Sequence, residues 1–451
     1  MVQTPSEINT HLKHLLACDA YKLSHRLMYP NDTTNLYSCL TARGGRGGFP
    51  NFVWNHEFAK KIILEVFGNF CDSVLAVQND PGLAQALTDK VTTVFGDPQF
   101  GLEFTQHICY LANFLKQHHQ LPLTVKIHQS SEGLAFLTPL VTITGSDQMV
   151  PELVWLVNYF ETVLLENIWL YQTTLTVAQS LKLLLERYAN ETADNTEFTH
   201  FQCHDFSMRG MSSLQSALYV ANAHLQYFSG SDTILGGVAA KSILASEHSV
   251  MCADGQEGEL NTFKRLLEQF PNKNLSLVID SYDMWHVLDN ILPQLKDLVL
   301  QRQEKLYLRP DSGNFETLIC QGKRFNPEDK TTWGVIDYLD YHFGSTVNQK
   351  GYKVLNQKLG IVYGDGITYE RIEYILEQLK QRGFCSSNIV FGVGSTTYQN
   401  LNRDTLGFVY KLTAIKKGNT WHDVTKSPIT DPTKQSIGGR FDNPNLIQVY
   451  G

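Results

Sequence analysis

Four apolar segments in the second half of the chain each end in a turn that contains acidic or glycine residues. They lie between residues 275 and 413 and read LSLVIDSYD, KLYLRPDSG, LGIVYGDG and NIVFGVGS. In a closed α/β barrel, all parallel strands point their C-terminal ends at one face, where ligands bind. We therefore expect one shared pocket, built from Asp280, Arg309, Asp311, Asp365 and the backbone of residues 392–395.

Strands and helices alternate through this half of the chain, as they do in a series of βα units. The clearest helix spans 368–382, where Thr368 supplies an N-cap, apolar residues recur at helical spacing, and Gly383 stops the helix. We predict an α/β fold with an irregular (β/α) barrel over residues 191–410. The predicted strands are 198–206, 275–280, 305–309, 359–363, 388–392 and 408–415, and the other predicted helices are 283–292 and 328–342.

Residues 1–190 have a different pattern, which predicts a mixed and mainly helical domain. Apolar periodicity predicts helices over 57–68, 100–118, 151–170 and 175–188, with a short strand pair around 122–146. The C-terminal segment, 411–451, is expected to pack with this N-terminal part. The chain would then contain the barrel and one additional mixed α+β domain, built from both ends of the sequence.

Charge and cysteine usage exclude several classes of partner and location. The 451 residues carry a formal net charge of -8 at pH 7, which argues against broad binding to nucleic acid or to anionic membranes. The eight cysteines are scattered and form no CxxC pair, as expected for reduced thiols in a cytoplasm. The N-terminus lacks the pattern of a signal peptide, and the apolar stretch 153–170 is interrupted by polar residues, so we expect a buried helix.

The turn GVGSTT, at residues 392–397, follows a strand and opens a predicted helix. Free backbone N–H groups at such a turn bind phosphate. A plain tight turn gives the same pattern, and Thr397 replaces the third glycine of a dinucleotide fingerprint. The basic residues that follow add local positive charge, although each alone also fits a solvated surface position; they are Arg403, Lys411, Lys426 and Lys434.

Three carboxylates on strand-end turns are candidate ligand groups. Asp311 in RPDSG and Asp365 in YGDG lie on turns where glycine lets a ligand approach, and a carboxylate there can accept hydrogen bonds from two ribose hydroxyls. Stabilisation of the turn itself is the alternative for both residues. Asp280 in IDSYD is a candidate for Mg²⁺, which takes one or two carboxylates and completes its shell with water and substrate phosphate.

Two further segments carry side chains suited to chemistry or to ring binding. His248 in ASEHSV is a candidate nucleophile or proton carrier, and a hydrogen-bonded structural imidazole is the alternative. Phe206 and Arg209 in HDFSMRG leave a strand end together, and an aromatic ring with a guanidinium forms a wall for a flat heteroaromatic ring. Core packing is the alternative for Phe206.

Together these motifs resemble the nicotinamide phosphoribosyltransferase family. Seven of them match its order and spacing: HDFSMRG, GSDT (230–233), SEHS, DSYD, RPDSG, GDG and NRD (402–404). The N-terminal DAYKLSH, YPNDT and YSCLTAR fit the same family, so the resemblance runs from about residue 10 to about residue 441. It implies a dimeric type II phosphoribosyltransferase that joins nicotinamide to 5-phosphoribosyl 1-pyrophosphate in NAD biosynthesis, requires Mg²⁺ and uses ATP as a co-substrate.

The resemblance also implies roles for individual residues. Phe206 and Tyr21 of the partner subunit would sandwich the pyridine ring, while Arg209 and Asp232 would orient its carboxamide. His248 would accept a phosphoryl group from ATP, which couples ATP hydrolysis to turnover.

The remaining implied roles concern the phosphoribosyl donor and its metal ion. Ribose binding is implied for Arg309, Asp311, Gly364 and Asp365. Phosphate binding is implied for Gly394, Ser395, Arg403, Lys411, Lys426 and Lys434. The candidate catalytic set is His248, Asp280 and Asp311, and Asp280 and Asp311 are the candidate Mg²⁺ ligands. Ser395 departs from the family pattern, because a glycine is common at this position.

Three other functions compete with this interpretation. Nicotinate phosphoribosyltransferase is the nearest, and Asp232 distinguishes it, because a carboxylate accepts an amide N–H but repels the carboxylate of nicotinate. A barrel glycoside hydrolase could use Asp280 and Asp311 as paired carboxylates, but the phosphate-type turn and the basic residues would then have no role. A non-catalytic nucleotide-binding protein is the third.

Overall fold

A computed structural model of the chain describes residues 8–130, 133–238, 240–430 and 435–451. The chain divides into two compact units. The first contains the residues up to Thr173 together with Arg403–Gly451, and the second contains Thr174–Asn402. The expected domain boundaries at 190 and 410 stay a prediction.

An antiparallel sheet is the centre of the first unit. With strands numbered in chain order, it contains β1 (Thr33–Ala42), β2 (Leu123–His128), β3 (Val141–Gly145), β13 (Phe408–Lys417), β14 (Thr420–Asp423) and β15 (Leu446–Tyr450). The strand order is β14-β13-β1-β3-β2-β15. The longest pairing joins β1 to β13, so strands from both ends of the sequence form one sheet.

The strand predicted over 408–415 exists, but its assignment to the barrel is wrong. It forms β13, which runs antiparallel to β1. Strands of a parallel sheet that is covered on both faces read as nearly continuous apolar runs. β13 instead exposes Lys411 near its middle, as an antiparallel strand with one solvated side can.

The long helices of the first unit begin at strong N-caps. The side chain of Asn55 accepts the N–H of Phe58, and Asp80 and Asp97 each cap a helix whose first residue is proline. The helices are α1 (His56–Asn79), α2 (Pro81–Phe95), α3 (Pro98–His118) and α4 (Glu161–Thr192), of which α4 belongs to the first unit only up to Thr173; shorter ones are Thr10–Leu15, Tyr21–Ser24, Leu156–Tyr159 and Arg403–Leu406.

Two helix predictions in this part of the chain are wrong in extent. The helix predicted over 57–68 continues to Asn79, and those predicted over 151–170 and 175–188 are largely one helix, α4. Neither glycine nor proline interrupts residues 161–192, so nothing in the backbone stops α4 at 170. Within the described ranges, no helix is both long and apolar enough to span a bilayer.

A parallel sheet is the centre of the second unit. Its strands are β4 (Cys203–Asp205), β5 (Gly230–Ser231), β6 (Leu244–Ala245), β7 (Leu275–Val278), β8 (Leu306–Arg309), β11 (Leu359–Tyr363) and β12 (Ile389–Val393). The strand order is β5-β4-β12-β11-β8-β7-β6, and every neighbouring pair is parallel. β7 and β11 are buried at every residue, as expected when both faces of a parallel sheet are covered.

The register of this sheet brings the strand ends to one edge. Val278 lies opposite Arg309, and Val393 lies opposite Asp205. A parallel bridge also joins Gly230 of β5 to Lys241, just ahead of β6, at the other end of the strand order. The protein is therefore a mixed α/β protein with a curled parallel sheet and a separate antiparallel sheet.

Helices follow strands in the second unit as predicted, but the start of the helix predicted over 328–342 is wrong: Lys330–Thr332 forms a separate 3-10 turn and the helix begins at Val335. The longer helices are α5 (Leu214–His224), α6 (Glu259–Gln269), α7 (Val335–Phe343) and α8 (Tyr369–Gln381). The helix predicted over 283–292 is confirmed, since Met284–His286, the π-helix Val287–Ile291 and Leu292–Gln294 follow one another without a break. Shorter helical segments are His248–Met251, Lys296–Leu300, Phe315–Leu318 and Ser395–Tyr398, and β9 (Ser345–Val347) pairs with β10 (Lys353–Leu355). The prediction for α8 is confirmed: Thr368 accepts the N–H of Arg371, and Gly383 has φ +73°.

The strand predicted over 198–206 is mostly wrong. Only Cys203–Asp205 is extended, and Glu197–Phe201 forms a 3-10 helix. The hydroxyl of Thr199 donates to the carbonyl oxygen of Thr196, a local bond of the kind that competes with strand pairing.

Candidate active site

Phe206 lies against the end of strand β12. Its N–H donates to the carbonyl oxygen of Val393 (2.8 Å), just after the β4–β12 pairing. A Cβ built on Gly392 would lie 3.1 Å from Cδ2 of Phe206 and 3.1 Å from Cα of Gly364. Glycine at 392 therefore leaves room for the half-buried ring beside two of the predicted ligand-binding turns.

Asp232 follows β5 and is held by two neighbours. Nε2 of His204 lies 2.9 Å from its Oδ1, and the hydroxyl of Ser242 donates to the same oxygen. Burial alone would raise the pKa of Asp232, but these hydrogen bonds and the charge of Arg309 outweigh burial and lower the pKa. Asp232 is a carboxylate at neutral pH, and its side chain is 40% exposed, so it can accept a further hydrogen bond.

Arg309 shares this environment at the end of β8. Its Nη2 donates to the carbonyl oxygen of Ser246 (2.7 Å). Its Nε is buried and has no partner among the described residues. A buried donor without an acceptor is costly, so a ligand oxygen at Arg309 would remove that cost.

A cavity of about 490 Å³ adjoins these three residues. Phe206, Asp232 and Arg309 line its end at the carboxyl edge of the sheet, and Asn274 and Lys305 line its end at the amino edge. Burial lowers the pKa of Lys305. The volume is that of a small-molecule pocket, which typically measures about 300 to 1,000 Å³.

The three predicted catalytic residues lie close together. Oδ2 of Asp280 accepts hydrogen bonds from the N–H of Asp311 (3.0 Å) and the hydroxyl of Ser312 (2.5 Å). Nε2 of His248 lies 3.6 Å from Oδ2 of Asp311, and its Nδ1 lies 3.2 Å from the hydroxyl of Ser281. The imidazole is 48% exposed, so a reactant can reach it.

The second carboxylate oxygen of Asp280 tests whether this residue fits the predicted Mg²⁺ site. Oδ1 is buried and has no hydrogen-bond partner in the described part of the chain, and a cation would offset the cost of burying it. No group of three or more His, Cys, Asp or Glu side chains in the described ranges is arranged to hold a metal. Asp280 and Asp311 thus fit Mg²⁺, which needs only one or two carboxylates beside a substrate phosphate, and not a closed structural zinc site.

The predicted phosphate-binding turn has the expected local structure. β12 ends at Val393, and residues Ser395–Tyr398 form a helical turn. A Cβ built on Gly210 would lie 1.8 Å from Oγ of Ser395, so the Ser395 side chain fills the space that glycine leaves at 210. The exposed Arg209 precedes that glycine, which places the HDFSMRG turn beside the phosphate-type turn.

Asp365 lies on an exposed turn after β11. Its carbonyl oxygen accepts a hydrogen bond from Nη1 of Arg371 (3.1 Å), and Gly366 has φ +57°, which favours glycine. Gly364 lies beside Gly392. The 364–365 turn therefore reaches the same strand edge as Phe206.

Asp205 is a supporting residue that the sequence analysis missed. It is fully buried and accepts hydrogen bonds from the hydroxyls of Ser231 (2.8 Å) and Thr233 (3.1 Å). These bonds fix the turn that carries Asp232. The motif CHD, with two polar residues at the end of a strand, was the available signal for both Asp205 and His204.

His224 was also missed. Nε2 lies 3.0 Å from the carbonyl oxygen of Gly230, and Nδ1 lies 2.8 Å from the hydroxyl of Tyr398. Burial lowers the pKa of His224 to about 4, so the ring is neutral at pH 7. Nε2–H then donates to Gly230 while Nδ1 accepts from Tyr398, and α5 is tied to β5 and to the helical turn after β12.

The other predicted site residues lie in the first unit. The Tyr21 side chain is 55% exposed, and its hydroxyl donates to Oδ2 of Asp19 (3.3 Å). Nη2 of Arg403 lies 2.8 Å from Oδ1 of Asp404. Lys434 lies outside the described residues.

Lys411 and Lys426 line one small cavity in the first unit, together with Arg43 from the glycine-rich 41–51 loop. Nζ of Lys411 also lies 3.3 Å from a carboxylate oxygen of Glu161. Three basic side chains around one space favour an anion.

Comparison with known proteins places these motifs in a family. Residues 201–450 match the nicotinate phosphoribosyltransferase (NAPRTase) family. Over 450 residues, covering 100% of each chain, the sequence is 66% identical to the nicotinamide phosphoribosyltransferase of Mycoplasma genitalium. The chain belongs to the nicotinate phosphoribosyltransferase family. The nicotinamide phosphoribosyltransferase of Acinetobacter baylyi is 35% identical over 454 residues, which cover 94% of this chain and 87% of that protein.

The fold of a solved structure agrees with this membership. The crystal structure of human nicotinic acid phosphoribosyltransferase superposes with a TM-score of 0.51 at 18% sequence identity, covering 88% of this chain and 74% of that one. At this identity the similarity concerns the fold alone. Function in this family therefore has to be argued from the site residues.

Proposed function

We propose that the chain is a nicotinamide phosphoribosyltransferase that joins nicotinamide to 5-phosphoribosyl 1-pyrophosphate and releases nicotinamide mononucleotide and pyrophosphate in NAD biosynthesis. The relative that is 66% identical over its full length carries that name. The observation that carries the proposal is the ionised, partly exposed carboxylate of Asp232 in the cavity that Phe206 also lines.

Phe206 and Asp232 together suit an uncharged pyridine carboxamide. The aromatic ring offers a stacking surface, and the carboxylate accepts the carboxamide N–H. The carboxylate of nicotinate would instead meet like charge at Asp232. Arg209, on the turn after Phe206, is the proposed second contact to the carboxamide.

The reaction at the sugar needs positioning more than proton transfer. Displacement at the anomeric carbon passes through an oxocarbenium-like state, so the main tasks are to hold base and sugar in line and to stabilise the leaving charge. Asp311 and Asp365 would accept the ribose hydroxyls, with the Gly364 backbone beside them. The unpaired Nε–H of Arg309 would donate a hydrogen bond to an oxygen of 5-phosphoribosyl 1-pyrophosphate.

Phosphate groups of the donor would be bound by backbone N–H groups and by cations. The proposed set is Gly394, Ser395, Arg403, Lys411, Lys426 and Lys434. Mg²⁺ would be held by Asp280 and Asp311, whose carboxylates fit it, and it would neutralise the departing pyrophosphate. The buried, unpaired Oδ1 of Asp280 supports this position.

ATP is the proposed co-substrate, and His248 is its proposed phosphoryl acceptor. The exposed imidazole has one nitrogen near Ser281 and the other near Asp311. A neutral imidazole nitrogen is a competent nucleophile when a base or hydrogen-bond partner holds the ring. In this step the phosphoryl group passes from ATP to the ring, ADP leaves, and hydrolysis later returns phosphate.

We also infer three features of organisation. The bridge between Gly230 and Lys241 supports closure of the parallel sheet into an irregular (β/α) barrel. The exposed Tyr21 ring supports a homodimer in which each site takes one aromatic face from the partner. The eight free thiols support a cytoplasmic location.

One assay separates the proposed function from its alternatives. Product formation is measured with nicotinamide and with nicotinate, each with the phosphoribosyl donor and Mg²⁺. Turnover of nicotinamide well above that of nicotinate is expected. Preference for nicotinate would make the chain a nicotinate phosphoribosyltransferase, and no product with either base would favour a glycoside hydrolase or a nucleotide-binding protein.

A further inference from the structure

Glu161, the first residue of helix α4, bridges two lysines that are far apart in the sequence. Its Oε2 pairs with Nζ of Lys22, and its Oε1 lies 3.3 Å from Nζ of Lys411. The Lys22 side chain is only 4% exposed, whereas that of Lys411 is 48% exposed. One carboxylate therefore joins a buried cation to an accessible one.

The buried end of this bridge lies next to Tyr21. Nζ of Lys22 is 5.4 Å from the centroid of the Tyr21 ring, and the Tyr21 hydroxyl donates to Asp19 (3.3 Å). The carboxylate of Asp19 in turn accepts from the hydroxyl of Thr162 (3.0 Å), the residue after Glu161. The first two residues of α4 thus contact residues on both sides of Tyr21: Glu161 pairs with Lys22, and Thr162 donates to Asp19.

The charge of Glu161 also affects the pKa of Tyr21. Burial, followed by the charges of Asp19 and Glu161, raises the pKa of Tyr21. The tyrosine therefore stays neutral and keeps its hydroxyl proton for the bond to Asp19. A change in the position of the Glu161 carboxylate would reach this ring through both Lys22 and the local field.

An anion bound at Lys411 would compete with Glu161 for this lysine and leave Lys22 as the remaining lysine partner of Glu161. The Lys411 side chain is 48% exposed whereas that of Glu161 is 18% exposed, so a pyrophosphate group can approach Lys411 from solvent and compete with Glu161 for it. The incoming negative charge would also repel Glu161. Both effects release Oε1 from Lys411, so the carboxylate can reorient on the buried Lys22, with which Oε2 already pairs.

We propose that Glu161 is a positioning residue that couples anion binding at Lys411 to the placement of the Tyr21 ring. The proposal rests on the proposed function, in which Lys411 meets donor phosphates and Tyr21 stacks on nicotinamide. Binding of the donor would then prepare the ring that receives the base. The donor would strengthen nicotinamide binding without a direct contact between the two ligands.

Binding calorimetry tests this coupling in the full-length protein. Nicotinamide is titrated with and without saturating inorganic pyrophosphate at constant MgCl₂. Couplings between sites are typically 5- to 150-fold, and we expect about fivefold tighter nicotinamide binding with pyrophosphate. The same factor should appear when nicotinamide is held saturating and pyrophosphate is titrated, because linkage is reciprocal.

Two variants identify the residues that carry the coupling. Glu161→Gln should reduce the factor to about one. Lys22→Met roughly keeps the buried volume and leaves Glu161 with Lys411 as its only lysine partner among the described residues, so it should also remove the coupling, and pyrophosphate alone should bind more weakly than to the wild type. Glu166→Gln is the matched control, since it makes the same charge change on the exposed side of α4 and should retain the factor.

The outcomes separate failure of this proposal from failure of the proposed function. If the wild type does not bind nicotinamide, the proposed function fails. If it binds nicotinamide but pyrophosphate leaves the affinity unchanged, the coupling is absent and the proposal is wrong, whatever the variants do. Retention of a fivefold factor in a folded Glu161→Gln or Lys22→Met protein would equally overturn it.

Discussion

The two units hold their charged candidate residues in opposite ways. In the second unit, Asp232 and Asp280 are held by hydroxyl, imidazole and backbone N–H groups. In the first unit, Lys411 and Arg403 are held by the carboxylates of Glu161 and Asp404. Hydrogen-bonding dipoles thus hold the acids of one unit, aided at Asp232 by the charge of Arg309, whereas carboxylates hold the cations of the other.

This difference indicates how each unit can respond to ligands. A carboxylate held by dipoles keeps its full charge and can accept an amide, a hydroxyl or a cation without losing a partner. A cation paired with a carboxylate must give that partner up to bind phosphate, and the exchange costs least where both partners are exposed, as at Arg403 and Asp404; at Lys411 only the lysine is exposed. The second unit is therefore suited to fixed recognition, and the first to exchange of anions.

The largest loss of catalytic activity should come from removing the aromatic ring of Tyr21 or of Phe206. Tyr21→Ala and Phe206→Ala proteins should each be nearly inactive, because a flat base loses one stacking face. Mixing the two variants should restore activity, since about half of the dimers would be heterodimers with one intact site each. Recovery towards roughly a quarter of wild-type activity after co-refolding is expected, as measured by nicotinamide mononucleotide formation.

A separate measurement of subunit exchange controls this experiment. If subunits exchange and no activity returns, both rings act within one subunit or the base is bound elsewhere. In either case the proposed homodimer with shared sites would be wrong.

The next largest effect is on the pH dependence of folding stability, and it tests the buried hydrogen bonds of His224 in the second unit. His224 has a pKa of about 4 because it is buried, against an ordinary value of about 6.5. Between these values the unfolded state binds more protons, so stability falls as pH falls from about 6.5 to 4. The loss amounts to about 3 kcal/mol at most, from 1.36 kcal/mol per pKa unit.

His224→Gln should remove most of this pH dependence, because an amide can donate to Gly230 and accept from Tyr398 without titrating. Urea unfolding at several pH values measures it. His422→Gln, on the exposed β14 surface, is the matched control and should unfold as the wild type does. An unchanged slope in His224→Gln would show that other groups dominate acid sensitivity.

Local patterns predicted much of the fold and the acidic part of the site. Thr368 and Gly383 marked helix α8, and the bounds predicted for β11 were correct, because caps and apolar runs are local signals. β13 was misplaced because sequence does not state which partner a strand will pair with. His224 was missed for the same reason, since its partner Tyr398 is 174 residues away.

A specificity effect should follow from the charge of Asp232. Asp232→Asn removes the repulsion of nicotinate and weakens the acceptor for the carboxamide. The ratio of nicotinamide to nicotinate turnover should fall roughly tenfold or more, the scale of one hydrogen bond to a charged group, about 1.5 to 3 kcal/mol. Asp365→Asn is a useful contrast, because a residue proposed to bind ribose should affect both substrates alike. An unchanged ratio in Asp232→Asn would remove Asp232 from base selection.

The smallest effect on basal synthesis should come from His248. Its imidazole lies between Ser281 and Asp311 but is half exposed, and the proposed displacement at the sugar does not use it. His248→Ala should therefore abolish ATP hydrolysis and ATP stimulation while some basal synthesis remains. An acid-labile phosphoryl label from ATP should appear on the wild type and be absent from the variant. A label that persists in His248→Ala would place the phosphoryl acceptor elsewhere, and the exposed imidazole would then serve only to orient Asp311.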